Sequence, residues 1–152
     1  MSEKWQSLLF QSKLFLKLVG WKNYFEGMHL EWPFSFSIDH MHTFAELSKD
    51  YNPLHSDFEF AKSKGFDAPL IHGLLLSSQM SRLIGQELPD QNAILTGIQL
   101  DFMQPSFPED ELVFEADLVT KSDSTYSLEF KCKISRDQKT LCRGLVSAIW
   151  KN

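Results

Sequence analysis

The chain has 152 residues, a formal charge of −5, and 43% hydrophobic and 23% charged residues. This length fits one domain with a substantial core, and the acidic balance argues against a nucleic-acid-binding protein, which would usually carry a basic face. Aromatic residues are numerous, including 13 Phe and 4 Trp, which suits a large core, an acyl-binding tunnel or a dimer interface.

The cysteine content and the lack of a recognisable secretory signal predict the compartment. Cys132 and Cys142 are the two cysteines, and they stand near mirror positions of a predicted hairpin, where they could face each other. A chain without a secretory signal is nonetheless expected to keep its thiols reduced and buried. The sequence therefore predicts a cytoplasmic protein.

Residues 2–22 are predicted to form a helix with two apolar faces. One face carries Trp5, Leu8, Leu9, Phe15, Leu16 and Val19, and the other carries Phe10, Leu14, Leu18 and Trp21. Lysines interrupt the apolar run, so the helix is predicted to be neither a signal peptide nor a membrane span. Its two faces are expected to pack on its own domain and on a partner subunit, with contact to a membrane surface as the alternative. Residues 1–26 are thus a helical extension, and 27–152 are the main domain.

One strand and two short helices precede the long helix of the domain. Residues 29–37 predict the strand, and Asp39 is expected to cap a helix that ends near Lys49. Pro53 cannot continue that helix, so a polar turn follows it. A second short helix is predicted over residues 58–63.

A long helix is predicted over residues 73–86, with a length of roughly 20 Å. Its apolar face carries Leu76, Met80 and Leu83. A second face carries small residues at i, i+4 spacing, namely Ser77, Ser81 and Gly85. Small side chains on this face allow another backbone or a thin ligand to come close.

The rest of the chain alternates with a period of two, which predicts four more strands. Three sets are expected to share a face, namely Ile94, Thr96, Ile98, Leu100 and Phe102; Leu112, Phe114, Ala116 and Leu118; and Tyr126, Leu128, Phe130, Cys132 and Ile134. Residues 141–150 are predicted to form the fourth of these strands. Turn residues separate these strands, so we expect them to pair in sequence order as a meander. With the early strand, they predict an α+β protein in which a five-stranded antiparallel sheet wraps round one long central helix.

The polar turn after the first short helix carries a carboxylate and an imidazole five residues apart, at Asp50 and His55. These side chain types are well suited to proton transfer near neutral pH. Gly73 opens the long helix, where a backbone amide can stabilise a developing oxyanion and where glycine lets a substrate approach closely. The three residues predict a site that moves protons and stabilises an anionic oxygen.

The motif around these residues resembles that of the MaoC-like, (R)-specific enoyl-CoA hydratase family. It comprises Asp50, Asn52, Pro53, His55, Asp57, Ala61, Phe66, Pro69, Ile71, His72 and Gly73. The resemblance covers roughly residues 27–150 and implies the hot-dog fold and a homodimer. It also implies an enzyme, typical of fatty acid metabolism, that interconverts trans-2-enoyl-CoA and (R)-3-hydroxyacyl-CoA, or the same acyl groups on a carrier protein.

The resemblance also implies roles for single residues. Asp50 and His55 match the family's catalytic pair, Gly73 matches its oxyanion donor, and Ser81 matches a serine that holds the catalytic aspartate in some members. The pair would hold one water molecule; one residue would take its proton and the other would return a proton to the α carbon. The sequence does not decide which residue does which.

Several residues and functions keep a second interpretation. Asn52 and His72 are expected to support the site by shaping the turn and ordering the loop, whereas Ser81 is equally compatible with simple packing. His40 and His42 do not share a helix face, so no metal site is predicted, and no cofactor is expected besides the thioester substrate. The alternative functions are a non-catalytic module that binds acyl thioesters or a partner, and a thioesterase. Acyl chain length and carrier stay open.

Overall fold

The computed structural model describes residues 20–151, and it forms one sheet with helices on one side. The strands are β1 (His29–Phe34), β2 (Ala93–Phe102), β3 (Leu112–Ser122), β4 (Ser127–Arg136) and β5 (Lys139–Trp150). The helices are α1 (Ile38–Ser48), α2 (Phe58–Ser63) and α3 (Gly73–Arg82), with 3-10 turns at Trp21–Asn23 and Pro53–His55 and a π turn at Leu83–Glu87. Residues 2–19 of the predicted N-terminal helix lie outside the described residues.

The long helix α3 and its π turn supply the centre of the core, as predicted. Leu76, Met80 and Leu83 are buried, and so are Leu75 and Ile84. One polar contact joins this helix to the sheet, because the Trp32 indole N–H of β1 donates to Gln79 Oε1 at 3.0 Å. The predicted five-stranded antiparallel sheet round a central helix is therefore confirmed, and this is the hot-dog fold.

The order of the strands corrects one prediction. The sheet runs β1-β3-β4-β5-β2, so β2 pairs with β5 and not with β3, its neighbour in sequence. Only β3, β4 and β5 form a meander. Turn residues report where a strand ends, but they do not report which strand comes next in the sheet. Both β1 and β2 are left as edge strands, and β1 tolerates Pro33 for that reason.

An irregularity in β2 corrects the predicted shared face of that strand. The register against β5 shifts between Leu95 and Gly97. Before the shift Leu95 lies opposite the buried Ala148, and after it Ile98 and Phe102 lie opposite the buried Val146 and Cys142. Ile94, opposite Ile149, consequently does not share a face with Ile98, Leu100 and Phe102, and Thr96 has no partner in the register. The alternating face predicted for β3 is confirmed, since Phe114 and Ala116 are fully buried, and so is that of β4 from Leu128 to Ile134. Tyr126, predicted for the same face, lies before β4 and is exposed.

The first helix also begins elsewhere than predicted. Ser37, not Asp39, is its N-cap, with Ser37 Oγ accepting from the His40 amide at 3.3 Å. The His40 imidazole in turn accepts from the Ser37 amide at 3.0 Å. This reciprocal capping box uses a histidine where glutamate or glutamine is usual, which is why the sequence pattern did not reveal it.

The described end of the N-terminal region is fixed by aromatic packing. Trp21 stacks edge-on with Tyr126 at 5.2 Å and donates its indole N–H to Asp123. Close by, the Tyr24 hydroxyl and the Trp150 indole both donate to the Asp90 carboxylate. Trp21 lies in a 3-10 turn, so the predicted α-helix does not extend through residue 22.

The two cysteines are free and buried, as expected, but they do not face each other. Cys132 pairs with Gly144 across β4 and β5, and Cys142 pairs with Ile134. Burial raises the pKa of the Cys132 thiol to about 12 and that of the Cys142 thiol to about 11, so neither is a reactive thiolate. Among residues 20–151, no helix has the length and apolarity needed to cross a membrane.

Candidate active site

The end of α1 presents Asp50 to solvent. Lys49 ends the helix in the left-handed conformation with φ of 61°, and the Asp50 amide donates to Ser48 Oγ at 3.2 Å. A left-handed residue turns the chain sharply after a helix. The carboxylate of Asp50 therefore leaves the helix axis and lies over the following turn.

Asn52 shapes that turn, as predicted from the sequence. Its side-chain oxygen accepts from the Leu54 amide at 2.9 Å and caps the 3-10 turn Pro53–His55. The Asn52 amide donates to Asp50 Oδ1 at 3.2 Å, which fixes the carboxylate. Local hydrogen bonds of this type are the reason that Asp and Asn are favoured in turns.

His55 is held in one tautomer by a main-chain partner. Its Nδ1 lies 2.8 Å from the Leu70 carbonyl oxygen, and because a carbonyl only accepts, Nδ1 carries the hydrogen. In the neutral ring Nε2 is then left with a lone pair. The Leu70 amide donates to the Leu54 carbonyl at 3.0 Å, so the segment carrying α2 is closed next to His55.

His72 lies behind His55 and is buried, with 2% of its surface exposed. The two rings stack with centroids 3.8 Å apart, and His72 Nε2 donates to the Asp50 carbonyl oxygen at 3.2 Å. Desolvation lowers the pKa of His72, so the ring is held neutral. His72 thus orders the loop, as expected, by joining the Asp50 turn to the start of α3.

A small cavity of about 210 Å³ joins these groups. It is lined by Asp50, Asn52, His55, Ser56 and His72 and, from the α1 side, by Met41, His42, Ala45, Glu46 and Tyr51. One ligand atom from each of Asp50, His55 and His72 lies within 4.8 Å of the others. One water molecule can bridge such a separation, so the cavity can hold water between the carboxylate and the imidazole.

A larger cavity of about 400 Å³ lies on the other side of His55. Its walls are His55, Phe66, Leu70, Ile71, Gly73, Leu76, Phe102, Met103, Gln104, Pro105 and Ser106. Gly73 is the first residue of α3, where amide N–H groups have no acceptor within the helix. Asp50 and Gly73 thus line two different cavities among the described residues, and His55 lines both.

Two groups of described side chains have the composition of a metal site. Asp50, His55 and His72 form one, and His29, Glu31 and Glu115 form the other on the sheet. In the first, His55 Nδ1 and His72 Nε2 are already bonded to carbonyl oxygens. Only one nitrogen of each ring is left as a ligand, so the pair could bind a metal ion only through His55 Nε2 and His72 Nδ1.

Ser81 is the one predicted site residue that lies apart from the others. It is exposed on α3 and does not line the cavity that holds Asp50. It lies eight residues, or about 12 Å, along the helix from Gly73. Within the described chain no hydrogen bond joins it to Asp50. The described chain therefore gives no contact for the supporting role predicted for Ser81.

Sequence reasoning missed two contributors to the site. Leu70 acts through its main-chain carbonyl, for which no residue type is diagnostic. Phe102 lies on Gly73, with its Cζ 3.0 Å from the position that a Gly73 Cβ would take. The sequence places Phe102 on an apolar face of β2. The face on which Phe102 lies depends on the register shift in that strand, which the sequence did not reveal.

Comparison with known proteins gives matches in sequence and in fold. Residues 26–138 match the family model described as "MaoC like domain". The (R)-specific enoyl-CoA hydratase of Aeromonas caviae is 45% identical over 75 residues, which cover 49% of this chain and 56% of that protein. The chain thus aligns with about half the length of that relative.

Two further matches extend over more of the chain. The mitochondrial 3-hydroxyacyl-[acyl-carrier-protein] dehydratase of Arabidopsis thaliana is 32% identical over 121 residues, which cover 77% of this chain and 72% of that protein. The solved (R)-hydratase of A. caviae superimposes with a TM-score of 0.81 at 29% identity, covering 86% of this chain and 99% of that one. With its fold, its motif and these matches, the chain belongs to the family of MaoC-like domains.

Proposed function

We propose that this protein is a hydro-lyase that adds water to trans-2-enoyl thioesters to give (R)-3-hydroxyacyl thioesters, and that catalyses the reverse dehydration. One observation carries the proposal. His55, with Nε2 left as a proton acceptor, lies between a cavity that contains a carboxylate and a cavity that contains the first amide of a helix. This is the arrangement that addition of water to a conjugated thioester needs.

The water would lie in the smaller cavity between Asp50 and His55. Water is a poor nucleophile, so a base must take a proton as its oxygen bonds to the β carbon. The free lone pair on His55 Nε2 favours His55 as that base. Asp50, fixed by the Asn52 amide, would orient the water. One O–H bond breaks, one C–O bond forms at the β carbon, and a proton from the pair is delivered to the α carbon.

The thioester carbonyl would lie in the larger cavity against the Gly73 amide. The β carbon becomes electrophilic only when negative charge on the thioester oxygen is stabilised. The amide at the start of α3, with the dipole of that helix, provides this stabilisation. Because His55 lines both cavities, it can reach the carbons that lie between the water and the carbonyl.

The names of the relatives support two kinds of acyl carrier. One relative acts on enoyl-CoA, and another acts on 3-hydroxyacyl groups bound to an acyl-carrier protein. We therefore propose CoA or carrier-protein thioesters as substrates, and a cytoplasmic location stays a prediction of the sequence.

We also propose that the protein works as a homodimer. On the described chain β2 pairs only with β5, which leaves one edge of a ten-residue strand without a partner. Ile98, Phe102 and Leu74 are exposed nearby, as is the small-residue face of α3 that contains Ser81. Light scattering should give about twice the chain mass of 17.6 kDa; an active, stable monomer would exclude the dimer.

An assay with purified full-length protein tests the activity. Crotonyl-CoA, longer trans-2-enoyl-CoAs and the matching carrier-protein thioesters should lose the ultraviolet absorbance of the conjugated double bond. The product should then be oxidised by a dehydrogenase specific for (R)-3-hydroxyacyl-CoA and not by an (S)-specific one. A thiol reagent added in parallel should detect no free CoA, since release of CoA would indicate a thioesterase. Absence of water addition to every thioester would overturn the proposal.

A further inference from the structure

The aromatic ring of Phe102 lies directly on the start of α3. A Cβ placed on Gly73 would be 3.0 Å from Phe102 Cζ and 3.2 Å from each Cε, closer than ordinary carbon contacts. Phe102 is nevertheless 51% exposed. The ring therefore fills the Cβ side of Gly73, and Phe102 also lines the larger cavity.

The sheet, and not a loop, fixes this position. Phe102 is the last residue of β2 and lies opposite the buried Cys142 of β5. Directly after it, the amides of Met103 and Gln104 donate to the Leu141 carbonyl at 2.8 and 3.2 Å. The backbone on both sides of Phe102 is thus hydrogen-bonded to β5, and the ring is held against α3 from the edge of the sheet.

The contact has a chemical consequence for the Gly73 amide. An amide without an acceptor binds an anionic oxygen more strongly when water is excluded, because the local dielectric is lower. An aromatic ring excludes water and offers no competing hydrogen bond. It also restricts the space beside Gly73, so that a flat group such as a thioester fits better than a bulky one.

We propose that Phe102 is a positioning residue that closes the side of Gly73 where a Cβ would stand and thereby holds the thioester oxygen at the Gly73 amide. This inference rests on the proposed hydration of enoyl thioesters. The edge strand β2 would then contribute a side chain, that of Phe102, to the active site as well as pairing with β5 in the sheet.

Steady-state kinetics of three variants test the role. Phe102→Ala should lower kcat by about tenfold to a hundredfold, somewhat less than the usual loss of an oxyanion donor itself, with a smaller change in KM. Phe102→Leu should recover part of kcat, because it restores apolar cover. Phe58→Ala is the matched control, since Phe58 is 50% exposed and lines neither cavity; its kcat should equal that of the wild type. A kcat for Phe102→Ala within about twofold of the wild type would overturn the role.

Hydrogen exchange of the Gly73 amide gives a readout that does not depend on activity. Measured by NMR on the full chain, exchange should be faster in Phe102→Ala than in the wild type and unchanged in Phe58→Ala. Gly73→Ala should be destabilised by the close contact, and adding Phe102→Ala should restore part of its thermal stability. Unchanged exchange in Phe102→Ala, with an active wild type, overturns the role of Phe102 alone. Lack of hydration by the wild type overturns the proposed function instead, whatever the exchange rates.

Discussion

The rings of His55 and His72 stack with their planes 24° from parallel, and each donates its N–H to a carbonyl of a different segment. His55 bonds to the residue two positions before His72, and His72 bonds to Asp50. These two hydrogen bonds join the turn that carries Asp50 to the segment that leads into α3. A positive charge on the His55 ring would lie beside His72, which adds to the burial that lowers the pKa of His72.

Asp50→Asn and His55→Gln should each lower kcat for enoyl-CoA hydration by about a hundredfold to ten-thousandfold, as expected for removal of a general acid or base. Asp101→Asn and His29→Gln are matched controls, since both residues are exposed and line neither cavity, and they should keep the wild-type rate. Circular dichroism should show all four variants folded. Near wild-type turnover by a folded Asp50→Asn or His55→Gln would remove that residue from the mechanism.

His72 should make the protein less stable in acid. Because burial lowers its pKa in the folded state, the unfolded chain binds the proton first as pH falls through about 6.5. Stability therefore decreases from that pH down towards the folded-state pKa. His72→Phe keeps a ring but has no such titration, so the stability advantage of the wild type over His72→Phe should shrink on acidification. Urea unfolding at several pH values measures this. An advantage that grows in acid would contradict the burial argument.

His29 should act in the opposite direction. Its hydrogen bond to Asp117, at 2.7 Å, raises its pKa in the folded state. Its contribution to stability is fully present below the unfolded-state pKa of about 6.5, provided that Asp117 stays ionised. It is lost as pH rises through the folded-state pKa. The difference in unfolding free energy between the wild type and His29→Gln should therefore be largest near pH 6 and disappear in alkaline solution. If the difference in unfolding free energy between the two proteins did not change with pH, the charge on His29 would not contribute to stability.

Gly144 should not tolerate any side chain. A Cβ there would be 1.8 Å from the Gln99 carbonyl oxygen and 2.8 Å from Leu100 Cδ2, so β2 would have to move away from β5. Gly144→Ala should destabilise the protein by about 1–3 kcal/mol or more, the usual range for overpacking. Gly97→Ala is the control on the same strand pair, because its Cβ would meet only Ser147 at 3.7 Å. Thermal unfolding compares the two. Equal melting temperatures would mean that β2 can shift freely.

Two truncations should separate the N-terminal segment from the domain. All residues assigned to the chemistry lie after residue 49, so deletion of residues 1–19 should leave kcat unchanged. Deletion of residues 1–22 also removes Trp21, whose ring contacts Tyr24, Tyr126 and Trp150, and should lower the melting temperature. Gel filtration would show whether either deletion changes assembly. Loss of turnover in the shorter deletion, with folding and assembly unchanged, would show that residues 1–19 shape the active site.

The sequence predicted best those features that depend on neighbours along the chain. The turn from Asp50 to His55 is held by its own Asn52 and Pro53, and α3 begins at Gly73 as expected. Long-range pairing was less accessible, because nothing in the pattern of β2 specifies β5 as its partner. The register shift near Gly97, which places Phe102 on Gly73, depends on contacts across the sheet and not on residue type. Ser81 shows a further limit, since a role carried over from the family by position alone has no matching contact with Asp50 in the described chain.

The hydrogen bonds next to His55 also have a consequence for how the site can be changed. The Leu70 amide bonds to the Leu54 carbonyl, and the Leu70 carbonyl accepts from His55. The segment from Leu54 to Leu70, which includes α2, is therefore a loop whose two ends are hydrogen-bonded to each other. The entropy cost of lengthening such a loop rises slowly. Insertions at the exposed positions of this segment should therefore leave in place the hydrogen bond that fixes the His55 tautomer.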